Sequence, residues 1–200
     1  MLRKVIYDPS FWILVSVNVF CIYYYQMHPE GFRTIVWIYW IQSVLIGLFN
    51  FLDLLTVKFP APGSMTFNDK PINGSGAGKG CVSLFFLFHY QFFHLVYAIF
   101  IAVQVKGTID LNFILLAIAA ITLELTLGFI RNKQLQKKIT INYGQLFMMP
   151  YLRIIPMHLM ILAPAFLGIR NSMVFLVLKL LADAGMYLLT RKMYGKALVI

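Results

Sequence analysis

The chain has 200 residues, of which 60% are hydrophobic and only 12% are charged. A soluble domain carries about 25% charged residues, so this composition excludes an ordinary soluble globular protein. The net charge of +10 would suggest a nucleic-acid partner in a soluble chain, but here the basic residues lie mostly between apolar runs. Membrane topology explains them more simply, and we expect no nucleic-acid partner.

Six apolar stretches are long enough, or nearly long enough, to cross a membrane. A bilayer core is about 30 Å thick and a helix rises about 1.5 Å per residue, so a crossing needs about 20 largely apolar residues. The sequence therefore predicts an all-α, polytopic membrane helix bundle that forms a single domain over residues 1–200. The six predicted transmembrane helices are 10–27, 33–57, 81–105, 110–130, 152–169 and 172–190.

The distribution of Lys and Arg predicts the orientation of this bundle. If the N-terminus is cytoplasmic, thirteen basic residues fall in cytoplasmic segments and three fall outside. Cytoplasmic loops carry an excess of Lys and Arg, so both termini are expected in the cytoplasm. We expect a multi-pass protein of the cell membrane that contacts membrane lipids.

Two predicted cytoplasmic segments differ in character. The segment 58–80 is rich in glycine and is expected to be a flexible loop. The segment 131–150 begins with four cations and continues with apolar residues, from Ile139 to Met149. This basic amphipathic pattern predicts a segment lying along the cytoplasmic surface against anionic lipid, although a docking site for a partner remains an alternative.

Six polar side chains fall at a similar depth in the predicted spans. Counted along each helix from the nearest cytoplasmic end, each lies about 8–12 Å into the membrane. Ionisable groups at such depth cost about 2.5–3.5 kcal/mol each on insertion scales and often mark functional sites. We expect these side chains to converge in the bundle interior. They are Asn50, Asp53, His89, Glu124, His158 and Asp183.

A divalent metal such as zinc is one occupant that this layer could hold. His89 and His158 would bind the ion together with Asp183 or Glu124, and the remaining carboxylate would act as general base on a metal-bound water. The predicted activity is a metal-dependent membrane hydrolase acting on a lipid-like substrate. The catalytic carboxylates of that hypothesis are Glu124 and Asp183.

A proton- or solute-conducting carrier is an alternative use of the same layer. Lys179 and Asp183 are four residues apart, so they can form an ion pair on one helix. That pair would make the carboxylate less available to a metal and could serve as a gate. A purely structural role, in which the polar groups pair with one another and tie the helices together, is a further alternative.

A non-catalytic membrane subunit is the remaining class. Five phenylalanines between Phe85 and Phe93 could pack in the bundle core or against a membrane partner or second copy of the chain. His89 and His158 could also be axial ligands of a haem, although zinc is favoured. His94 shares a helix face with Tyr90, so it is expected to hydrogen-bond that phenol or a neighbouring helix.

The pattern His89-x4-His94-Leu95 resembles the histidine motif in an early helix of rhomboid intramembrane serine proteases. The chain has no GxSG nucleophile motif, and Asp183 stands where a rhomboid-like final helix would carry the catalytic histidine. The sequence therefore predicts no serine protease activity.

The whole chain looks like a family of small, uncharacterised bacterial integral membrane proteins. The segment from Phe85 to His94 carries this resemblance, together with the Pro150-Tyr151-Leu152-Arg153 sequence that leads to Pro156 and His158. This resemblance implies a polytopic membrane fold and no particular activity.

Overall fold

The computed structural model of the chain describes residues 7–73, 76–152, 154–155 and 172–196. Most of these residues lie in helices. The α-helices are α1 (Pro9–Met27), α2 (Phe32–Thr56), α3 (Ala77–Gln104), α4 (Leu111–Gln136), α5 (143–152, continuing at 154–155) and α6 (Ser172–Lys196). A short 3-10 turn, Pro29–Gly31, joins α1 to α2.

Five helical stretches of the described residues are long and apolar enough to cross a membrane. They are Pro9–Met27, Pro29–Thr56, Ala77–Gln104, Leu111–Gln136 and Met173–Tyr194. Many large apolar side chains on these helices face outward, including Phe88, Leu115 and Leu116 at 72%, 65% and 68% exposure. Exposed apolar surface of this extent is typical of helices that face lipid. The predicted fifth span, 152–169, lies almost entirely outside the described residues.

The ends of α1 and α4 are set by capping aspartates. Asp8 precedes α1 and its carboxylate accepts a hydrogen bond from the backbone N–H of Ser10 at 3.1 Å. Asp110 precedes α4 and accepts one from the N–H of Phe113 at 3.0 Å. Such caps satisfy backbone donors that have no partner within the helix.

Helix packing places α2 between α3 and α4, while α1 packs against α4 and α6. One end of the bundle holds the N-terminus of α1 and the C-termini of α2, α4 and α6. We call it the basic end, because most cations of the described loops and helix ends lie there. These are Lys58, Lys70, Lys79, Arg131, Lys133, Lys137, Lys138, Arg191 and Lys192.

The segment 58–80, predicted as a flexible loop, contains regular structure. A hairpin pairs β1 (Thr66–Phe67) with β2 (Lys70–Pro71) in antiparallel register. Asn68 and Asp69 at its turn both have positive φ, as a two-residue hairpin requires. The helix α3 then begins at Ala77, four residues before the predicted start of the third span.

The segment 131–150, predicted to lie along the cytoplasmic surface, is partly helical and packs against the rest of the protein. Residues up to Gln136 complete α4, and the segment then turns back into α5. Ile139, Ile141 and Leu146 are buried in a second core cluster with residues of α2 and α3. The backbone of Ile141 also exchanges hydrogen bonds with Phe59 and Ala61. These three side chains therefore face the protein, in a cluster that also contains Ile72 of the 58–80 segment.

Gly47 allows α2 and α3 to approach closely. A Cβ atom at this position would lie 2.5 Å from both Cδ1 and Cε1 of Tyr90, whose side chain is fully buried. Small residues at helix crossings permit such packing in membranes. This contact aligns the polar groups of α2 with those of α3.

Gly47→Ala is expected to destabilise the protein by about 1–3 kcal/mol, because Tyr90 must move to accommodate the methyl group. Unfolding can be followed with a thiol-reactive dye in a Cys81→Ser background, since Cys21 is fully buried while Cys81 is exposed. Gly80→Ala is the control, because nothing lies within 4 Å of its Cβ position. Equal unfolding midpoints for both variants would contradict the close approach.

Candidate functional site

Asp183 lies near the middle of α6 and forms an ion pair with Lys179 one turn earlier. The Nζ–Oδ2 distance is 2.5 Å. Nζ of Lys179 also donates to Oε1 of Gln42 at 2.9 Å. Oδ2 of Asp183 accepts hydrogen bonds from Nδ2 of Asn18 at 3.2 Å and from Nε2 of Gln42 at 3.3 Å. We call these four residues, from α1, α2 and α6, the Asp183 group; its predicted ion pair is confirmed.

The Asp183 group is almost completely removed from the protein surface. Asp183 is 3% exposed and Lys179 is 6% exposed. Nζ of Lys179 also lies 4.8 Å from the centre of the Tyr39 ring, where the ring's negative face stabilises the cation. A buried ion pair is close to neutral for stability unless its geometry and hydrogen bonding are excellent, so stability alone is a weak reason for this arrangement.

Sequence reasoning did not find two members of this group, Asn18 and Gln42. The sequence does indicate them, since each is an amide side chain within an otherwise apolar helix. Both side chains are buried, and Oδ1 of Asn18 has no hydrogen-bond partner among the described residues. An amide at that position in a lipid-spanning segment needs a partner on another helix, and here that partner is Asp183.

Three members of the predicted polar layer surround a cavity of ≈ 120 Å³ between α2, α4, α5 and α6. They are Asn50, Asp53 and Glu124. The cavity extends from Ile46 and Met186 at its inner end to Asn132 and Tyr194 near the basic end. Met186 and Tyr194 are eight residues apart on α6, which corresponds to about 12 Å.

The inner end of the cavity lies close to the Asp183 group. Ile46 follows Gln42 by one turn of α2, and Met186 follows Asp183 by three residues of α6. One helical turn is about 5.4 Å. The two features therefore follow one another along the bundle axis, with the cavity on the side of the basic end.

His89, one of the predicted metal ligands, lies on an outer face of α3. The side chain is exposed on α3, and its Nδ1 lies 2.9 Å from the hydroxyl of Tyr151. Its ring contacts those of Phe85 and Phe93. The neighbouring residue Tyr90 is the one that faces inward. His158, the other predicted histidine ligand, lies outside the described residues.

No three His, Cys, Asp or Glu side chains of the described residues lie together as a metal site would require. His89 is exposed on α3, whereas Asp183 is bound within its own group and Glu124 lines the cavity. Equal depth along different helices was the basis of the predicted ligand set. These side chains point in different directions, so His89, Glu124 and Asp183 do not meet although they share a depth.

His94 has the neighbouring-helix contact expected of it. Its Nε2 lies 2.8 Å from Oγ of Ser43 on α2, and its Nδ1 lies 2.8 Å from the carbonyl oxygen of Tyr90. The Tyr90 hydroxyl in turn lies 3.2 Å from Oγ of Ser43. Nε1 of Trp40 donates to the carbonyl of His94 at 2.8 Å. These contacts connect α2 to α3.

Asp53 forms a second buried polar group at the basic end. Lys133 on α4 lies 2.5 Å from Oδ1 of this carboxylate. Nε2 of Gln136 donates to the same oxygen at 2.7 Å, and the hydroxyl of Tyr194 donates to Oδ2 at 3.2 Å. Asp53 therefore ties together the ends of α2, α4 and α6.

Asp8 forms a third group, which we call the Asp8 cluster, with Arg131, Tyr187 and Arg191. Both guanidinium groups and the tyrosine hydroxyl donate to Oδ2 of the carboxylate. Burial by itself raises the pKa of Asp8. The Tyr187 hydrogen bond and the charges of Arg131 and Arg191 outweigh that effect, so the pKa lies below the ordinary value of 3.8. The cluster joins α1, α4 and α6.

The described structure thus defines an all-helical bundle with five helices that could cross a membrane and with buried charged groups between them. The chain belongs to a family of unknown function (DUF6498), whose model matches residues 2–198. This match is consistent with the resemblance to an uncharacterised family. No curated protein and no solved structure matches the chain significantly.

Proposed function

We propose that this protein is a proton-conducting carrier of the cell membrane in which Asp183 takes up and releases the proton. The observation that carries this proposal is the buried Lys179–Asp183 pair, which is held between three apolar helices. An ionisable residue within membrane-spanning helices is expensive and is a functional-site hypothesis by default. Proton uptake would neutralise Asp183 and leave Gln42 as the hydrogen-bond partner of Lys179.

The cavity lies between the basic end and this pair, where it would form part of a proton route. Its inner end lies about one helical turn from Gln42 and Asp183, as described above. Its walls carry the carboxylates of Asp53 and Glu124 and the hydroxyls of Tyr187, Thr190 and Tyr194. Polar groups of this kind can order water and pass protons along hydrogen bonds. Of these two carboxylates, Glu124 lies nearer to the inner end of the cavity.

Towards the opposite end, direct contacts hold the connection between α3 and α4 against the α1–α2 turn and the start of α2. Oγ1 of Thr34 donates to the carbonyl of Thr108 at 3.0 Å, and the N–H of Thr108 donates to the carbonyl of Glu30 at 3.0 Å. A Cβ at Gly107 would lie 2.4 Å from that same Glu30 carbonyl.

The charge distribution orients the carrier. Most cations of the described loops lie at the basic end, so we place that end and both termini in the cytoplasm. In this orientation the cavity lies on the cytoplasmic side of the Asp183 group. A proton would then reach Asp183 from the cytoplasmic side.

Proton flux into liposomes containing the purified chain tests this function. We expect Asp183→Asn combined with Lys179→Gln to fold and to abolish pH-driven flux, because neither charge is left unpaired and no titratable group remains in the Asp183 group. Asp69→Asn is the matched control, since Asp69 is an exposed hairpin-turn residue and its loss is expected to leave flux unchanged.

The same measurement separates this proposal from a purely structural role of the ion pair. If the folded double variant conducts protons as fast as the parent chain, the pair only ties helices together. A parent chain without any pH-driven flux would also contradict the proposal.

A further inference from the structure

The cavity is larger than a proton path requires. A water molecule needs about 10–15 Å³ of such volume, so ≈ 120 Å³ accommodates about ten water-sized groups. That is the size of a small organic solute. The chemistry of the walls indicates which kind of solute fits.

Donors and acceptors without partners lie in the wall towards the basic end. Three residues that line the cavity carry a buried polar atom with no hydrogen-bond partner among the described residues. These atoms are the donors Nδ2 of Asn50 and Nε of Arg131, and the acceptor Oδ1 of Asn132. Buried polar groups are nearly always paired in proteins, so an occupant that pairs with them is expected.

A carboxylate lies deeper in the same cavity. Glu124 is 7% exposed and precedes Arg131 by seven residues on α4. The two residues are therefore about 10 Å apart along the helix axis. The guanidinium and two amides lie towards the basic end, whereas the Glu124 carboxylate lies towards the membrane interior.

Apolar side chains form the rest of the wall. Ile46, Phe49, Leu125, Phe129 and Met149 contribute most of this surface. They suit the methylene groups of a solute whose polar groups are at its two ends. Small-molecule sites typically combine such apolar walls with a few placed polar groups.

We propose that this cavity binds a small zwitterion, an amino acid with one ammonium and one carboxylate group. The ammonium lies against Glu124, and the carboxylate accepts hydrogen bonds from Nδ2 of Asn50 and Nε of Arg131. Hydrogen bonds take about 3 Å at each end, so about 4–5 Å separate the two charges of the solute. The assignment of such a zwitterion as the carried solute rests on the proposed carrier function.

Calorimetric titration of the full chain in lipid nanodiscs tests the assignment. The probes are amino acids of increasing charge separation, from glycine through β-alanine and γ-aminobutyrate to 5-aminopentanoate. Butylamine and butyrate are the singly charged comparisons. We expect saturable binding that is strongest for γ-aminobutyrate or its nearest neighbour in the series, and at least tenfold weaker binding of both singly charged compounds.

Two near-isosteric variants locate the binding site. Glu124→Gln and Asn50→Leu are each expected to weaken zwitterion binding at least tenfold, whereas Asp69→Asn has no effect. Because neither variant removes a member of the Asp8 cluster or the Asp183 group, both are expected to fold. Unchanged binding in both variants would overturn the assignment.

The outcomes distinguish this inference from the carrier proposal. Proton flux without zwitterion binding overturns the solute assignment and leaves the carrier, with the cavity as its water route. Zwitterion binding without any proton flux overturns the proposed function and supports the binding site. Butylamine binding as tightly as the zwitterions would also overturn the assignment. The carboxylate group would then contribute nothing to binding, and Asn50 and Arg131 would have no role as its donors.

Discussion

Asp183→Asn is expected to destabilise the protein by about 3–5 kcal/mol, the largest effect of any substitution considered. The change leaves the ammonium of Lys179 buried and without its counter-charge, and an uncompensated buried charge carries a penalty of this size. The hydrogen bonds from Asn18 and Gln42 lose their charged acceptor at the same time. Unfolding of the detergent-solubilised protein, followed through the Cys21 thiol in the Cys81→Ser background, measures the difference.

The double variant Lys179→Gln/Asp183→Asn is the essential comparison. It removes both charges but keeps groups that can hydrogen-bond to Asn18 and Gln42. We expect it to lie within about 1–2 kcal/mol of the parent protein, because the lost hydrogen bonds are worth about 1 kcal/mol each. If the double variant is as unstable as Asp183→Asn, the penalty does not come from an unpaired charge. Asp69→Asn, at an exposed turn, should leave the unfolding midpoint unchanged.

Asp8→Asn is expected to destabilise the protein by about 2–3 kcal/mol at neutral pH. Asparagine also caps helices well, so the substitution keeps the N-terminus of α1 and removes only the negative charge. Arg131 and Arg191 lose a shared carboxylate partner, and their side chains are 23% and 20% exposed. Partial contact with solvent reduces the penalty below that of a fully buried charge.

The contribution of Asp8 is expected to depend on pH in one direction. Its folded pKa lies below the ordinary value of 3.8, so near that pH the unfolded chain binds more protons than the folded chain. The stabilisation is therefore complete well above pH 3.8 and is lost as the pH falls through the folded pKa. Thermal melts followed by circular dichroism should show the parent and Asp8→Asn proteins converging in strong acid. A constant difference down to that range would contradict the low pKa.

The sequence alone was sufficient for features that depend on local spacing. The ion pair of Lys179 and Asp183 follows from a separation of four residues on one helix, and the apolar runs predict most of the membrane-length helices. Five of the six predicted spans overlap helices that could cross a membrane, and the remaining one, 152–169, lies almost entirely outside the described residues. The hydrogen bond from His94 to the neighbouring helix was also expected. A helix carries such local information because its backbone geometry does not change with its surroundings.

Only the tertiary structure decided which polar side chains meet. Position along a helix fixes the depth of a residue, but packing fixes the direction in which its side chain points, and lipid gives no polar face from which that direction can be predicted. His89 therefore points outward although it shares the predicted depth of Glu124 and Asp53. The partners of Asp183 on α1 and α2, and the cavity between α2, α4, α5 and α6, likewise follow from the rotation and close approach of whole helices.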